Sequence, residues 1–139
     1  SRDKTARIWD PATGRELAGL RGHEGSVTSV VFSPDGGRVV TASMDGTARV
    51  WDPATGRELA ALRGHDDWVT SAAFSPDGDR VVTISGNAVR MWDGSSGKQL
   101  ARIALDASVT GLAVFDTTIA LGDKLGRIHV LDFDPATLE

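Results

Sequence analysis

His23 and His65 each follow a glycine, and each is trailed by threonines and aspartates that suggest catalysis. An imidazole that takes a proton from a hydroxyl while a carboxylate orients the ring is the equipment of acyl transfer. Here the same set recurs at a fixed spacing, whereas a catalytic set is needed once. His23, His65 and His129 are scattered, with no second ligand at local metal spacing. Asp66-Asp67 and the Asp35-Gly36 and Asp77-Gly78 pairs lack the ligand pattern of a calcium loop and read as ordinary turn chemistry. The chain has no cysteine, which excludes a disulfide scaffold, a thiolate metal site and a cysteine nucleophile. No catalytic residue, no metal and no cofactor is therefore expected. Twelve of the 15 basic residues are arginine. Arg7 and Arg49 and Arg90 stand two residues before a tryptophan, and Arg127 reads as the fourth of the series. Such a ring resembles a phosphate stripe. The simpler expectation is that each stem packs along a strand while its head reaches water.

The elements that hold these residues come from internal repetition. The ten residues from Trp9 to Ala18 return from Trp51 to Ala60, an offset of 42. Leu20-Arg21-Gly22-His23 and Phe32-Ser33-Pro34-Asp35-Gly36 return at the same offset. Trp92-Asp93 marks a third, degenerate period and Leu131-Asp132 a fourth position. Within a period the pattern is strand-like. Thr47 to Trp51 alternates, putting Arg49 and Trp51 on one face. Arg38 to Ala42 and Arg80 to Ile84 are β-branched and follow Pro-Asp-Gly turns. Val27 to Phe32 and Val69 to Phe74 are apolar or small on both faces, as suits an inner strand between neighbouring sheets. Leu17 to Leu20 and Leu59 to Leu62 suit an outer strand. No stretch offers a capped helix of normal length.

Four short strands per roughly 40 residues is the signature of a propeller blade. The chain resembles the WD40 repeat family through Gly22-His23, Gly64-His65, the two Phe-Ser-Pro-Asp-Gly copies, Ser43-Met44-Asp45-Gly46-Thr47, and Trp-Asp at positions 9, 51 and 92. It is similar to bacterial WD40 arrays. The resemblance implies an all-β propeller of about three four-stranded antiparallel blades plus a partial blade, an arc of a larger propeller. The expected divisions are 1–10 (end of an incomplete blade), 11–52, 53–93, 94–133 (degenerate) and 134–139 (tail). The resemblance also implies a hydrogen-bonded network in each blade: His23, Thr41, Asp45 and Trp51 in the first, His65, Thr83 and Trp92 in the second, Asp3 and Trp9 in the partial one. The second blade lacks the aspartate, with Asn87 as a candidate substitute. The third has Asp106, Leu121, Leu125 and Leu131 at the four positions, so apolar packing is expected to hold it.

The implied function is that of a non-catalytic interaction scaffold, with a loop-rich top face for a protein or peptide. The alternative is the regulatory part of a larger bacterial signalling protein, with an NTPase, kinase or protease domain upstream. Trp68 is the most informative rim candidate, because its counterpart one period earlier is Ser26. Met44, Arg2, Asp66, Asp67 and Glu24 join it. With 139 residues and a net charge of −4, the balance argues against nucleic acid and an anionic membrane surface as partners. The expected compartment is the cytoplasm. Three blades make an arc with open edges, so further blades or association of copies is expected to complete a ring.

Overall fold

The computed structural model describes residues 3–9, 11–65, 67–105, 107–115 and 118–132. Every regular element among them is a β-strand. The order is β1 (Thr5–Trp9), β2 (Glu16–Arg21), β3 (Val27–Phe32), β4 (Val39–Ser43), β5 (Thr47–Trp51), β6 (Glu58–Arg63), β7 (Ser71–Phe74), β8 (Arg80–Ser85), β9 (Ala88–Asp93), β10 (Gln99–Ala104), β11 (Val109–Phe115), β12 (Thr118–Asp123) and β13 (Ile128–Asp132). They form four antiparallel sheets in simple meander order: β1-β2, β3 to β6, β7 to β10, and β11 to β13. We call the last three blades 1, 2 and 3.

Each meander follows from its turns. Ser33 and Asp35 close the β3–β4 connection: the Ser33 hydroxyl donates to Asp35 Oδ1 at 2.7 Å, and the Gly37 amide donates to the same oxygen at 2.9 Å. Ser75 and Asp77 do the same between β7 and β8. The Asp52 to Gly56 turn is closed by Gly56 N donating to Asp52 O at 2.8 Å, with Gly56 at φ +76°.

The core lies between sheets rather than within one. Val40, Val50, Leu62, Val69, Phe74, Val81 and their neighbours pack blade 1 on blade 2. Val82, Ile84, Met91, Ile119 and Leu121 pack blade 2 on blade 3. Ala6, Leu20, Val27, Val39 and Trp51 pack the β1-β2 pair on blade 1. The middle strands β4, β5, β8 and β9 are therefore covered on both faces and almost wholly buried. The first strands of successive blades, β3, β7 and β11, lie against one another along the inner side. β3 departs from the doubly covered inner strand expected of it, because Val30 and Phe32 are open to solvent. On that side the β1-β2 pair reaches β3 at its start, where Ala6 and Val27 share a cluster.

Candidate functional site

Blade 1 brings His23, Thr41, Asp45 and Trp51 together from two strands and two connections. His23 arrives from the loop after β2, Thr41 lies in β4, Asp45 in the β4–β5 turn, and Trp51 at the end of β5. His23 Nδ1 lies 2.9 Å from Asp45 Oδ2, and His23 Nε2 lies 2.5 Å from Thr41 Oγ1. Trp51 Nε1 donates to Thr41 Oγ1 at 2.8 Å. An indole N–H only donates and an ionised carboxylate only accepts, so the proton order is fixed. Trp51 donates to Thr41, Thr41 donates to His23 Nε2, and His23 Nδ1–H donates to Asp45. Gly22 precedes the histidine at φ +155°, and a Cβ there would meet Arg49 Nη1 at 3.0 Å and the Trp51 ring at 3.1 Å. Glycine is needed at that spot for both reasons.

The electrostatics suit a neutral imidazole beside a fixed carboxylate. Burial pushes the His23 ring below its ordinary value, and the Asp45 hydrogen bond only partly offsets it. Burial would raise the Asp45 carboxyl. The Thr47 hydroxyl, the Glu24 amide, His23 and the Thr47 amide outweigh that and hold it far below the usual carboxylate range. Thr41 is fully buried and His23 nearly so. The hydroxyl that a triad would use as nucleophile therefore faces no cleft.

Blade 2 places His65 and Trp92 on Thr83 in the same way: Thr83 Oγ1 lies within hydrogen-bond distance of His65 Nε2, and Trp92 Nε1 donates to it at 2.8 Å. The turn differs. Two residues, Gly86-Asn87, join Ser85 to Ala88, with Gly86 at φ +57°, a tight hairpin of the kind that puts glycine first. Asn87 does not take the place of Asp45. Its amide nitrogen instead donates to Leu105 O at 2.7 Å.

In the β1-β2 pair Asp3 caps its turn as Asp45 does, accepting from the Thr5 amide at 3.1 Å and the Thr5 hydroxyl at 2.9 Å. Lys4, at φ +66°, stands where Gly46 stands in blade 1. Trp9 is 53% exposed, in contrast to the buried Trp51 and Trp92. In blade 3 Asp106 lies outside the described residues, and the side chain of Leu131 is likewise not described. Leu121 is buried, but Leu125, at the Asp45 position, is 68% exposed. Apolar packing alone is therefore not what holds this blade. Its carboxylate has moved two residues back, to buried Asp123, which accepts from Leu125 N (2.9 Å), Arg127 N (3.1 Å), Arg127 Nε (2.8 Å) and His129 Nε2 (2.8 Å). The His129 hydrogen bond leads the group of contacts that hold the Asp123 carboxyl far below the usual range. Sequence reasoning missed this site. Aligning Gly126 with Gly46 would have put Asp123 at the place of Ser43.

The arginine series is corrected in part. Arg7 and Arg127 keep exposed side chains, but Arg49 and Arg90 are largely buried, and donate to Glu58 Oε1 at 2.7 Å and Gln99 Oε1 at 2.9 Å. His129, not Arg127, takes the corresponding place in blade 3.

Of the rim candidates, Arg2 and Asp66 lie outside the described residues. Trp68 is 54% exposed and Met44 39% exposed. With Asp45, Gly46, His65 and Asp67 they line a cleft of about 280 Å³ between the loops of blades 1 and 2. Asp67 Oδ1 accepts from the Trp68 amide at 2.7 Å. Glu24 is exposed near this cleft, and its amide donates to Asp45 Oδ2 at 2.9 Å.

The family model described as "WD domain, G-beta repeat" matches residues 14–52 and 56–93. Among curated proteins, Coronin-7 of Mus musculus is 45% identical over 45 residues, 32% of this chain and 5% of that protein. The guanine nucleotide-binding protein subunit beta of Arabidopsis thaliana is 50% identical over 44 residues, 31% of this chain and 12% of that protein. An uncharacterized WD repeat-containing protein of Synechocystis sp. is 43% identical over 42 residues, 30% of this chain and 12% of that protein. The matched stretch is thus no more than 12% of the length of these three relatives. Over nearly its whole length the chain superposes on the crystal structure of the computationally designed Ika4 protein, with a TM-score of 0.87 and 32% identity, covering 96% of this chain and 82% of that one. The repeated sheets, the two matched repeats and this superposition together show that the chain belongs to the WD40 repeat family and carries its all-β propeller fold.

Proposed function

We propose that the chain is a non-catalytic interaction module whose Trp68 cleft docks a protein or peptide segment. The observation that carries this is the exposed Trp68 ring beside exposed Met44, in a concavity at the junction of two blades. A large aromatic that the repeat does not require, with its partner in blade 1 a serine, offers contact area at low entropic cost. Asp67 and Glu24 add negative charge at the cleft edge, which favours a segment carrying lysine or arginine next to an apolar side chain. The buried His-Thr-Asp chain supports the non-catalytic reading, since substrate has no route to the hydroxyl.

The test is a selection of random displayed peptides on the chain, followed by affinity measurement with Trp68→Ala. Selected peptides are expected to lose at least about tenfold in Kd, about 1.4 kcal/mol, while the melting temperature stays unchanged. Equal affinity for the variant would overturn the reading.

A further inference from the structure

Blade 2 differs from blade 1 around one guanidinium, through the loss of two carboxylates and the gain of an arginine. In blade 1, Arg49 Nη1 pairs with Glu58 and its Nε reaches Thr47 Oγ1, which in turn donates to Asp45. In blade 2, Gln99 stands for Glu58, Ala88 for Thr47, and the shortened Gly86-Asn87 turn leaves no counterpart of Asp45. Across the β9–β10 ladder, Arg102 stands directly opposite Arg90, whereas Ala61 faces Arg49. Like charges set opposite each other in a ladder destabilise it unless an anion lies between them. Among the described residues of the cleft, Asp67 is an added acid, at the place of Gly25, and its Oδ1 is occupied by the Trp68 amide.

The result is a small cleft of about 140 Å³ lined by His65, Asp67, Asn87, Arg90 and Arg102, among others. Arg90 is 8% exposed, and its Nε–H has no hydrogen-bond partner. A buried donor left unmet costs on the order of 1–3 kcal/mol, and more for a charged group. Blade 1 fills the same region from within, with the Asp45 carboxylate and the Thr47 hydroxyl.

We propose that this cleft is a site for one carboxylate group, held by Arg90 and Arg102 where blade 1 uses its own aspartate. Planar bidentate pairing makes a guanidinium the natural receptor for a carboxylate. The carboxylate is that of a small free acid or of an acidic side chain on a bound polypeptide. The site stands independently of whether the Trp68 cleft docks a partner.

The test follows the Nε–Hε resonance of Arg90 by ¹⁵N–¹H correlation while sodium formate, or the capped tripeptide acetyl-Ala-Glu-Ala-amide, is added at constant ionic strength. The Arg49 resonance serves as the internal reference. Arg102→Ala restores the blade 1 residue opposite the arginine, and Gln99→Glu restores its internal carboxylate. Both positions are exposed or half-exposed strand residues, so both variants are expected to melt near the wild type. The expected result is a saturable shift of Arg90 with no shift of Arg49, weakened at least tenfold in each variant. Saturation by formate alone assigns the site to free acids; saturation by both ligands extends it to acidic side chains. No shift, a linear shift, or identical curves in the variants would overturn the site.

Discussion

Thr41 is the joint of the blade 1 network, since one hydroxyl oxygen accepts from Trp51 and donates to His23. Thr41→Val keeps the shape and removes both bonds. It leaves an indole N–H and an imidazole nitrogen buried without partners, so the expected loss is about 2–4 kcal/mol by urea denaturation. A loss below about 0.5 kcal/mol, within the range of an ordinary surface substitution, would show that the network is not structural. His23 adds a pH signature. Its folded-state value lies below the ordinary 6.5, so the unfolded chain binds the proton more readily. Stability therefore falls as pH drops below about 6.5 and the unfolded ring charges. Asp45 has the opposite kind of group and the same slope: its depressed value gives stability that is complete above 3.8 and lost as pH falls further. His23→Gln is expected to lower stability at pH 7 and to remove the upper limb of the profile while leaving the lower one. An unchanged slope between about pH 5 and 7 would contradict the assignment to His23.

At the scale of the element, turn chemistry decides which residues meet. Asp45 and Asp123 close equivalent hairpins from positions two residues apart. Asp45 accepts from Thr47 N at 2.9 Å, and Asp123 accepts from both Leu125 N and Arg127 N. Asp123→Asn is therefore expected to loosen the β12–β13 turn, while Leu125→Ala, at the exposed position, leaves it intact. Hydrogen exchange at the Leu125 and Arg127 amides checks this: at least tenfold faster exchange in the first variant and no change in the second. The strands themselves were legible in the sequence, because Trp-Asp, Gly-His and Pro-Asp-Gly recur at 42 residues and alternation places Arg49 and Trp51 on one face. Their surroundings were less so. Period-2 alternation says that Arg49 shares a face with Trp51, but not that Glu58, from the next strand, meets its head group. The shift from Asp45 to Asp123 was hidden because a two-residue displacement keeps the carboxylate on the same strand face while breaking the position-by-position match. The charge change around Arg90 was hidden for a related reason. It arises from Gln99 and Arg102 on one strand and from a shortened turn, none conspicuous alone.

For the whole molecule, the core is a series of interfaces between sheets rather than one central mass. Blades 1 and 2 contribute middle strands buried on both faces, and large side chains such as Trp51, Trp92, Leu62 and Leu121 fill the joints. A fully buried Trp removes roughly 200 Å² from water, on the order of 5 kcal/mol at about 25 cal/mol per Å² before entropy is counted. In such an array stability is approximately a sum of intrinsic blade terms and nearest-neighbour interface terms. Position along the array then determines how far damage spreads. Leu62 lies at the blade 1–blade 2 joint, with blades on both sides, and Leu121 at the blade 2–blade 3 joint. Leu62→Ala and Leu121→Ala each create a cavity expected to cost about 2–5 kcal/mol. Their hydrogen-exchange patterns differ. Leu62→Ala weakens protection in β4, β5 and β8 together, because the joint couples blades 1 and 2. Leu121→Ala weakens β11 to β13 and the facing side of β8 and β9, and leaves the amides of β4 and β5 at wild-type protection. If both variants lowered protection uniformly from β1 to β13, the molecule would be a single cooperative unit whose blade interfaces cannot open separately. The nearest-neighbour account of its stability would then fail.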